Sequence, residues 1–419
     1  MLRVFSQAVF VLGQKEIILR QDTSLGVSEC TGNGPPDEAL TSVAKLFEPL
    51  ALRGVTLKNR IMVSPMSMYS SSDGFANDLH LVHLGRFALG GAGTVMVEAT
   101  AVAQQGRGTV GCNGIWRDEH VPNLQRISGF LRTFGCTAGI QLGHSGPKGS
   151  SQRPWHGNGP LTTRDAAERH EQSWPVVSST DAPFDAGWSA PVALTEADID
   201  ALVFDYRMAA RRACQAGFQI VELHCAHGYL LHSFLSPLVN KRIDRYGGTI
   251  ENRMRLPLRV VDALRDEIPE TMPLCVRISA VDGNNVGWSM ADSVVFAKQL
   301  ALRGVDAIAC SSGGIKLEKG RNLVSRIPGF QVPFAEQIKR EAGVHTIAVG
   351  MILTPEQAEG VLRTEQADIV ALGREMLFNP NWPAQAALAL KGAEGWDEWP
   401  EQFKWWLQRR ARQLAPRVT

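Results

Sequence analysis

Eight short runs of apolar and β-branched residues recur along the chain from Lys45 onward, and amphipathic stretches separate them. Runs that are apolar on both faces are typical of strands buried on both sides of a sheet, and helices between them make neighbouring strands parallel. Eight such units predict an α/β fold of the (β/α)8 TIM-barrel type rather than a doubly wound sheet. The runs are RIMVSPM (60–66), TVMVEA (94–99), AGIQL (138–142), IVELH (220–224), PLCVRIS (273–279), DAIACSS (306–312), HTIAVG (345–350) and ADIVALG (367–373).

Two segments depart from this regular alternation. Residues 1–44 include a Gly/Pro-rich stretch and are expected to form a flexible N-terminal extension, for which an organellar targeting peptide is the alternative. Residues 45–419 are expected to form the barrel and a C-terminal helical segment. Residues 149–192 are rich in Gly, Pro, Ser and Trp, and they predict a long excursion after the third strand that contributes to an active site.

Composition restricts the class of partner. Lys and Arg total 43 against 42 for Asp and Glu, so we expect no field that would recruit nucleic acid or an anionic membrane. No stretch approaches the ~20 apolar residues that a membrane span requires. The 7 cysteines are scattered without a C-x-x-C pair, which predicts neither a disulfide framework nor a metal site and fits a reducing, cytoplasmic compartment. The expected partners are small molecules.

Barrels of this type carry their chemistry at the C-terminal ends of the strands. Gly350 and Gly373 end the seventh and eighth runs, where backbone N–H groups can approach an anion, and Arg374 adds a fixed charge. These residues predict a phosphate-bearing cofactor, with tight turns and a surface ion pair as the alternative. Arg277 and Gln141 end the fifth and third runs, and they are suited to a conjugated ring with carbonyl and N–H groups, such as an isoalloxazine.

Longer motifs occur in order between about Leu46 and Leu407: SPMSMYSS, VEATAV, QLGHSGPK, ELHCAHGYLLHSFLSPLVNKRIDRYGGTIENR, CVRISA, AVGMI and ALGRE. They resemble the FMN-dependent ene-reductases of the Old Yellow Enzyme family, in its thermophilic-like or xenobiotic-reductase branch. The resemblance implies noncovalent FMN, its reduction by NAD(P)H, and reaction of an activated alkene in the same place, with no metal. The positions that match flavin contacts are Ser64, Pro65, Met66, Ser67, Ala99, Gln141, Arg277, Gly350, Gly373 and Arg374.

The segment ELHCAHGYLLHSFLS (222–236) places three histidines and a tyrosine directly after an apolar run. Hydride addition to an α,β-unsaturated carbonyl pushes negative charge onto its oxygen, so donors aimed there lower the barrier. His224 and His227 are the expected donors, and Tyr229 is expected to deliver the proton to the α-carbon. His232 is assigned no catalytic role and is expected to be hydrogen-bonded to the backbone.

Four further positions follow from the resemblance. Tyr69 matches a tyrosine over the substrate pocket, and Lys148 matches a basic residue near the nicotinamide or substrate entrance; core packing and a solvated lysine are the alternatives. Trp406, with Trp405 as the other candidate, is the best match to a residue that reaches the neighbouring subunit's site. This match implies a homodimer or higher homo-oligomer, and packing within the chain is the alternative. Ser67 stands where this branch usually has cysteine, so we expect altered redox poise with activity retained.

The sequence therefore predicts an NAD(P)H-dependent flavin ene-reductase that acts on α,β-unsaturated carbonyl or nitro compounds. A dienoyl-CoA reductase-like relative is one alternative, although such proteins carry a cysteine cluster and an extra nucleotide domain that have no counterpart here. A barrel that binds FMN or phenols without turnover is the other.

Overall fold

Eight parallel strands close into one barrel, which confirms the predicted fold. The computed structural model describes residues 44–316 and 324–414, so the N-terminal extension predicted over residues 1–44 lies outside the described residues apart from Ala44. The strands are β1 (Ile61–Val63), β2 (Thr94–Ala101), β3 (Thr137–Gly143), β4 (Ile220–Cys225), β5 (Leu274–Ser279), β6 (Ala307–Ser311), β7 (His345–Ala348) and β8 (Ile369–Leu372). Each of the eight predicted runs overlaps one of them.

Helices surround the barrel and connect its strands. They are α1 (Asp78–Leu89), α2 (Val121–Thr133), α3 (Thr163–Arg169), α4 (Glu196–Gln215), α5 (Leu230–Leu235), α6 (Ile250–Glu267), α7 (Met290–Ala301), α8 (Val332–Ala342), α9 (Pro355–Arg363), α10 (Arg374–Phe378), α11 (Trp382–Lys391) and α12 (Glu401–Leu414). Side-chain caps fix several starts: Thr195, Thr249 and Ser289 each accept a hydrogen bond from a backbone N–H of the first turn. Among the described residues, no helix has both the length and the apolarity needed to cross a bilayer.

The barrel interior is apolar at one end and polar at the other. Met62, Met96, Ile220 and Ile347, near the starts of their strands, pack together inside the barrel with less than 3% of their surface exposed. An antiparallel hairpin of Leu50–Leu52 and Val55–Leu57 packs against this cluster. The other end of the barrel is therefore the one where polar side chains can form a site.

The excursion between β3 and α4 is a folded part of the molecule rather than an open loop. It contains α3 and a pair of short parallel strands, Val177–Ser178 and Val192–Ala193. Its contacts with the barrel include a hydrogen bond of 3.0 Å from Arg153 Nε to the carbonyl of Tyr69. The excursion is thereby attached to the loop that follows β1.

A close backbone approach joins α1 to the C-terminal helices. A Cβ added at Gly90 would lie 1.9 Å from the carbonyl oxygen of Pro380, which is a backbone atom that cannot rotate away. We expect Gly90→Ala to lower the free energy of unfolding by roughly 3 kcal/mol, because relieving the overlap requires backbone movement. Urea unfolding followed by tryptophan fluorescence measures the change.

Gly129→Ala in α2 is the matched control, because a Cβ there meets nothing within 4 Å. Alanine in an open helical position should raise stability by roughly 0.5–1 kcal/mol. Equal effects of the two substitutions would contradict the proposed overlap at Gly90.

Candidate active site

Two adjoining cavities lie at the C-terminal ends of the strands, as expected for the fold. The first has a volume of about 420 Å³, and its walls include Ser67, Tyr69, Ala99, Lys148, His227 and Tyr229. The second has a volume of about 710 Å³, and its walls include Ser64, Pro65, Met66, Arg277, Gly350, Gly373 and Arg374. They adjoin where consecutive residues of the loop after β1, Met66 and Ser67, face one cavity each. The structure thus groups nine of the ten residues matched to flavin contacts around these two cavities, whereas Gln141 lines neither.

The second cavity fits an elongated cofactor with an anionic end. A Cβ at Gly373 would lie 3.7 Å from Met66 Sδ and 3.9 Å from Ser64 Cβ, so it would occupy cavity space. Arg374 supplies a positive charge beside this opening. Farther in, the Arg277 guanidinium lines the wall, and its Nε has no hydrogen-bond partner among the described residues. These features leave N–H donors and space for a phosphate and a ring with carbonyl groups.

A buried carboxylate fixes the orientation of the amide at the end of β3. Gln141 Nε2 donates a hydrogen bond of 2.7 Å to Glu222 Oε1, and the two residues lie opposite each other in the pairing of β3 with β4. Burial raises the pKa of Glu222, while the charge of Arg277 and the bond from Gln141 lower it. Glu222 was not predicted, although an acidic residue within the apolar run IVELH was a visible signal.

His224 and His227 meet at the end of β4. His224 Nδ1 accepts a hydrogen bond of 3.1 Å from the Ala226 N–H, and His224 Nε2 lies 3.4 Å from His227 Nδ1. The other nitrogen of His227, Nε2, lies 2.7 Å from Ser311 Oγ. The His224 ring is buried, whereas the His227 ring faces the first cavity. Ser311, near the end of the run DAIACSS, contacts His227 and was not predicted as part of the site.

The protonation states of these groups follow from their surroundings. Loss of hydration lowers the pKa of both imidazoles well below the usual value, and the nearby Arg277 charge lowers it further. Both rings are therefore neutral at neutral pH. Burial raises the pKa of Tyr229, whose ring centroid lies 4.9 Å from that of His224, so its phenol keeps its proton.

The turn between β4 and α5 is held from two sides. His232 Nδ1 accepts a hydrogen bond of 2.8 Å from the Gly228 N–H, as expected for a backbone-bonded histidine, and His232 Nε2 lies 3.1 Å from Asp282 Oδ1. From the cavity side, Lys148 Nζ donates to the carbonyls of His227, at 2.7 Å, and Gly314, at 2.6 Å. Lys148 is thus part of the cavity wall rather than a freely solvated cation.

Of the two remaining predicted residues, Tyr69 lies in a cavity wall and Trp406 lies outside both cavities. Tyr69 lines the first cavity with a backbone φ of +52°, and its ring packs edge-on against Trp155 at 6.0 Å. Trp406 lies on α12 with 67% of its surface exposed, and it lines neither cavity of its own chain.

A parallel barrel with a site for a ring and a phosphate, faced by neutral imidazoles and a protonated phenol, defines a flavin-dependent oxidoreductase. A family model described as the NADH:flavin oxidoreductase / NADH oxidase family matches residues 45–392. The chain belongs to this family, which is that of Old Yellow Enzyme, and its cofactor is FMN with NAD(P)H as the reductant.

The individual relatives agree with this assignment. The chain is 43% identical to an NADPH dehydrogenase of Geobacillus sp. (strain WCH70) over an alignment of 347 residues. This alignment covers 82% of this chain and 94% of the relative. A structure of morphinone reductase in complex with tetrahydroNAD superposes with a TM-score of 0.67 at 26% identity, covering 82% of this chain and 91% of that one. An old yellow enzyme homologue from Zymomonas mobilis shares the fold, with a TM-score of 0.65 at 24% identity over 81% of this chain and 92% of its own.

Asp282 is the anchor whose removal tests the support of the turn. Burial raises the pKa of this carboxyl, but hydrogen bonds from His232, Ser236 and the Trp288 N–H outweigh that effect and lower it. In Asp282→Asn, an amide N–H₂ replaces one acceptor and must face a donor, so we expect a loss of about 1–3 kcal/mol in the free energy of unfolding. Urea unfolding measures it.

Asp262→Asn provides the comparison, because this carboxyl is 54% exposed and lies 3.3 Å from Arg303. Its loss should change stability by at most about 1 kcal/mol. If both substitutions lowered the free energy of unfolding equally, the buried Asp282 would stabilise the protein no more than the exposed Asp262 does.

Proposed function

We propose that the protein is an ene-reductase, which uses NAD(P)H to reduce the C=C bond of α,β-unsaturated carbonyl or nitro compounds. When bound, FMN would supply the hydride chemistry between the nicotinamide and the β-carbon of the alkene. The observation that carries the proposal is the pair of neutral imidazoles, with ring nitrogens 3.4 Å apart, next to a protonated tyrosine in the wall of the first cavity. His224 and His227 would bind and polarise the alkene, and Tyr229 would protonate it.

Hydrogen-bond partners select which nitrogens carry protons. Because His224 Nδ1 accepts from the Ala226 N–H, the neutral ring carries its proton on Nε2. Gln331 Nε2 lies 2.7 Å from Ser312 Oγ and 3.4 Å from Ser311 Oγ, so the Ser311 hydroxyl, 2.7 Å from His227 Nε2, can either donate to that nitrogen or accept from it. We propose the tautomer in which Ser311 donates and His227 carries its proton on Nδ1. With that tautomer, both N–H groups, whose nitrogens lie 3.4 Å apart, would be able to donate to one carbonyl oxygen of a bound substrate.

Two donors at this point favour the transition state over the bound substrate. Negative charge grows on the substrate oxygen during hydride transfer, and neutral donors held in place stabilise that charge without reorganisation. Because the imidazoles stay uncharged far below pH 6.5, we expect no loss of this function through titration near neutral pH.

Tyr229 is proposed as the donor of the proton to the α-carbon. Its backbone N–H bonds to the Ala226 carbonyl, but its phenol has no hydrogen-bond partner among the described residues. The phenol borders the first cavity and has a raised pKa, so it holds its proton until a developing carbanion accepts it. Hydride and proton would thus reach the two alkene carbons separately.

Helix α12 supports the proposal of a homo-oligomer. None of its described residues is buried. Even the large apolar side chains of Phe403, Trp405 and Trp406 are 40%, 52% and 67% exposed. Large apolar side chains clustered on one helix are typical of an interaction surface. We therefore keep the proposal that Trp406 contacts the site of a second copy.

The proposed function is tested by anaerobic stopped-flow absorbance. NADPH should bleach the yellow protein, and cyclohexenone should restore the colour. Tyr229→Phe should leave the first step within about twofold and slow the second by about 10²-fold or more, because general acid catalysis contributes on that scale. Tyr246→Phe is the matched control, since this tyrosine is buried away from both cavities. Bleaching that no enone or nitroalkene reverses would overturn the proposal in favour of a barrel that only oxidises nicotinamides.

Ser67 is the position where a change in redox behaviour is expected. It borders the first cavity, and its side chain makes a hydrogen bond that opposes the raised pKa of Tyr69, whose largest cause is burial. Ser67→Cys replaces a strong hydroxyl donor with a weak thiol donor, so the flavin midpoint potential should shift while reduction of cyclohexenone continues. Spectroelectrochemistry measures the potential, and an unchanged value would remove Ser67 from the residues that tune the flavin.

A further inference from the structure

The charges in the wall of the first cavity are all of one sign. Among the described residues that line it, Arg107 and Lys148 are cationic, and none is Asp or Glu. The groups proposed to reduce a neutral alkene, the imidazoles and the phenol, are themselves neutral. The reaction therefore requires the charge of neither Arg107 nor Lys148. Two cations without a carboxylate therefore need another explanation.

Arg107 is held in place by aromatic rings rather than by an acid. Its guanidinium carbon lies 5.5 Å from the ring centroid of Trp116 and 5.0 Å from that of Trp174. Its Nε donates a hydrogen bond of 2.9 Å to the carbonyl of Gln104. In the described part of the chain no carboxylate pairs with it, so its terminal N–H groups stay available. A guanidinium fixed in this way loses little conformational freedom when it binds an anion.

The nearest acids are already engaged elsewhere. Asp73 Oδ2 lies 2.6 Å from Arg117. Glu98 is buried, with Oε1 3.0 Å from His80 and Oε2 accepting a hydrogen bond of 2.9 Å from the Met68 N–H. Neither carboxylate neutralises the cavity wall by direct contact.

Lys148 adds a second positive charge deeper in the same cavity. Burial lowers its pKa to about 8, and no carboxylate among the described residues offsets this. Its ammonium lies 5.9 Å from the ring centroid of Tyr229, next to the proposed proton donor. An anion in the cavity would relieve this desolvated charge.

We propose that the first cavity selects alkenes that carry a carboxylate, which Arg107 binds while the carbonyl oxygen of the substrate lies at His224 and His227. This inference rests on the proposed function and specifies its substrate class. A planar guanidinium can bind a carboxylate through two parallel hydrogen bonds. The cavity volume of about 420 Å³ suits a small molecule rather than a whole dinucleotide, which favours the substrate over the nicotinamide phosphates as the source of the anion.

The test uses matched pairs of substrates with the FMN-loaded enzyme. Cyclohexenones with a carboxylate on an arm of one, two or three methylenes are compared with their methyl esters by steady-state kinetics at pH 7. For wild type, the ratio of kcat/KM between acid and ester should exceed one for at least one arm length. Arg107→Gln should lower that ratio about ten- to a hundredfold, the scale of a charge-assisted hydrogen-bond pair. Arg107→Lys should retain part of it.

Arg164→Gln is the control, because Arg164 pairs with Glu168 on the exposed face of α3 and lines neither cavity. Absorbance of bound flavin confirms that each variant is folded. If wild type reduces acid and ester equally well, the inference is overturned while the proposed function stands. If Arg107→Gln instead raises KM for NADPH and leaves the acid-to-ester ratio unchanged, the anion is a nicotinamide phosphate and the inference is equally overturned. Failure to reduce any alkene would overturn the proposed function itself.

Discussion

The pairing of β8 with β1 is the interaction on which the site depends. Val370, Ala371 and Leu372 lie opposite Ile61, Met62 and Val63, and this contact closes the barrel. Closure brings the loop after β1 beside the loop after β8, and the Ser64 N–H donates a hydrogen bond of 2.9 Å to the Leu372 carbonyl. Residues from opposite ends of the described chain therefore form the walls of one cavity. Without closure of the barrel, Arg374 and Met66 would not line the same cavity.

Loss of hydration is the second organising influence, and it acts on acids and bases in opposite directions. It raises the pKa of Tyr229 and Glu222 and lowers the pKa of His224 and Lys148. Each shift favours the neutral form of the group, so the imidazoles and the phenol act as neutral dipoles, while Lys148, with a pKa of about 8, stays mostly cationic at pH 7. Arg277 keeps its charge, and that charge further disfavours protonation of the neighbouring imidazoles. The environment thus sets the charge of the site.

Local patterns were sufficient to predict the barrel and several of the residues that line its two cavities. Each strand is a short apolar run, and helix starts at Thr195 and Thr249 have their own capping side chains, so neighbours in sequence determine them. Strand ends also identify residues such as Gln141 and Arg277, because the fold brings all such ends together. The domain boundary and the role of Trp406 remain predictions, since they concern residues outside the described chain or a second copy.

What the sequence could not reveal are partners that are distant along the chain. Ser311 meets His227 from another strand, and Asp282 supports His232 across 50 residues of chain. Nothing in the spacing of Arg107, Trp116 and Trp174 indicates that two indole rings flank one guanidinium. These contacts depend on how loops after different strands pack, which the periodicity of a single segment does not encode.

The turn that carries the catalytic candidates shows why such distant support is needed. His227 has a backbone φ of +60°, a left-handed conformation that costs a residue with a side chain about 1 kcal/mol. Its N–H donates to Ser279 Oγ at 2.9 Å and its carbonyl accepts from Lys148 at 2.7 Å, so both sides of the strained residue are fixed. In the absence of an acceptor, the N–H groups assigned to His224 and His227 face each other at 3.4 Å, which is unfavourable for two donors. A bound oxygen would remove that repulsion, and the same rigidity that imposes it would then give a pair of donors already in position when charge develops.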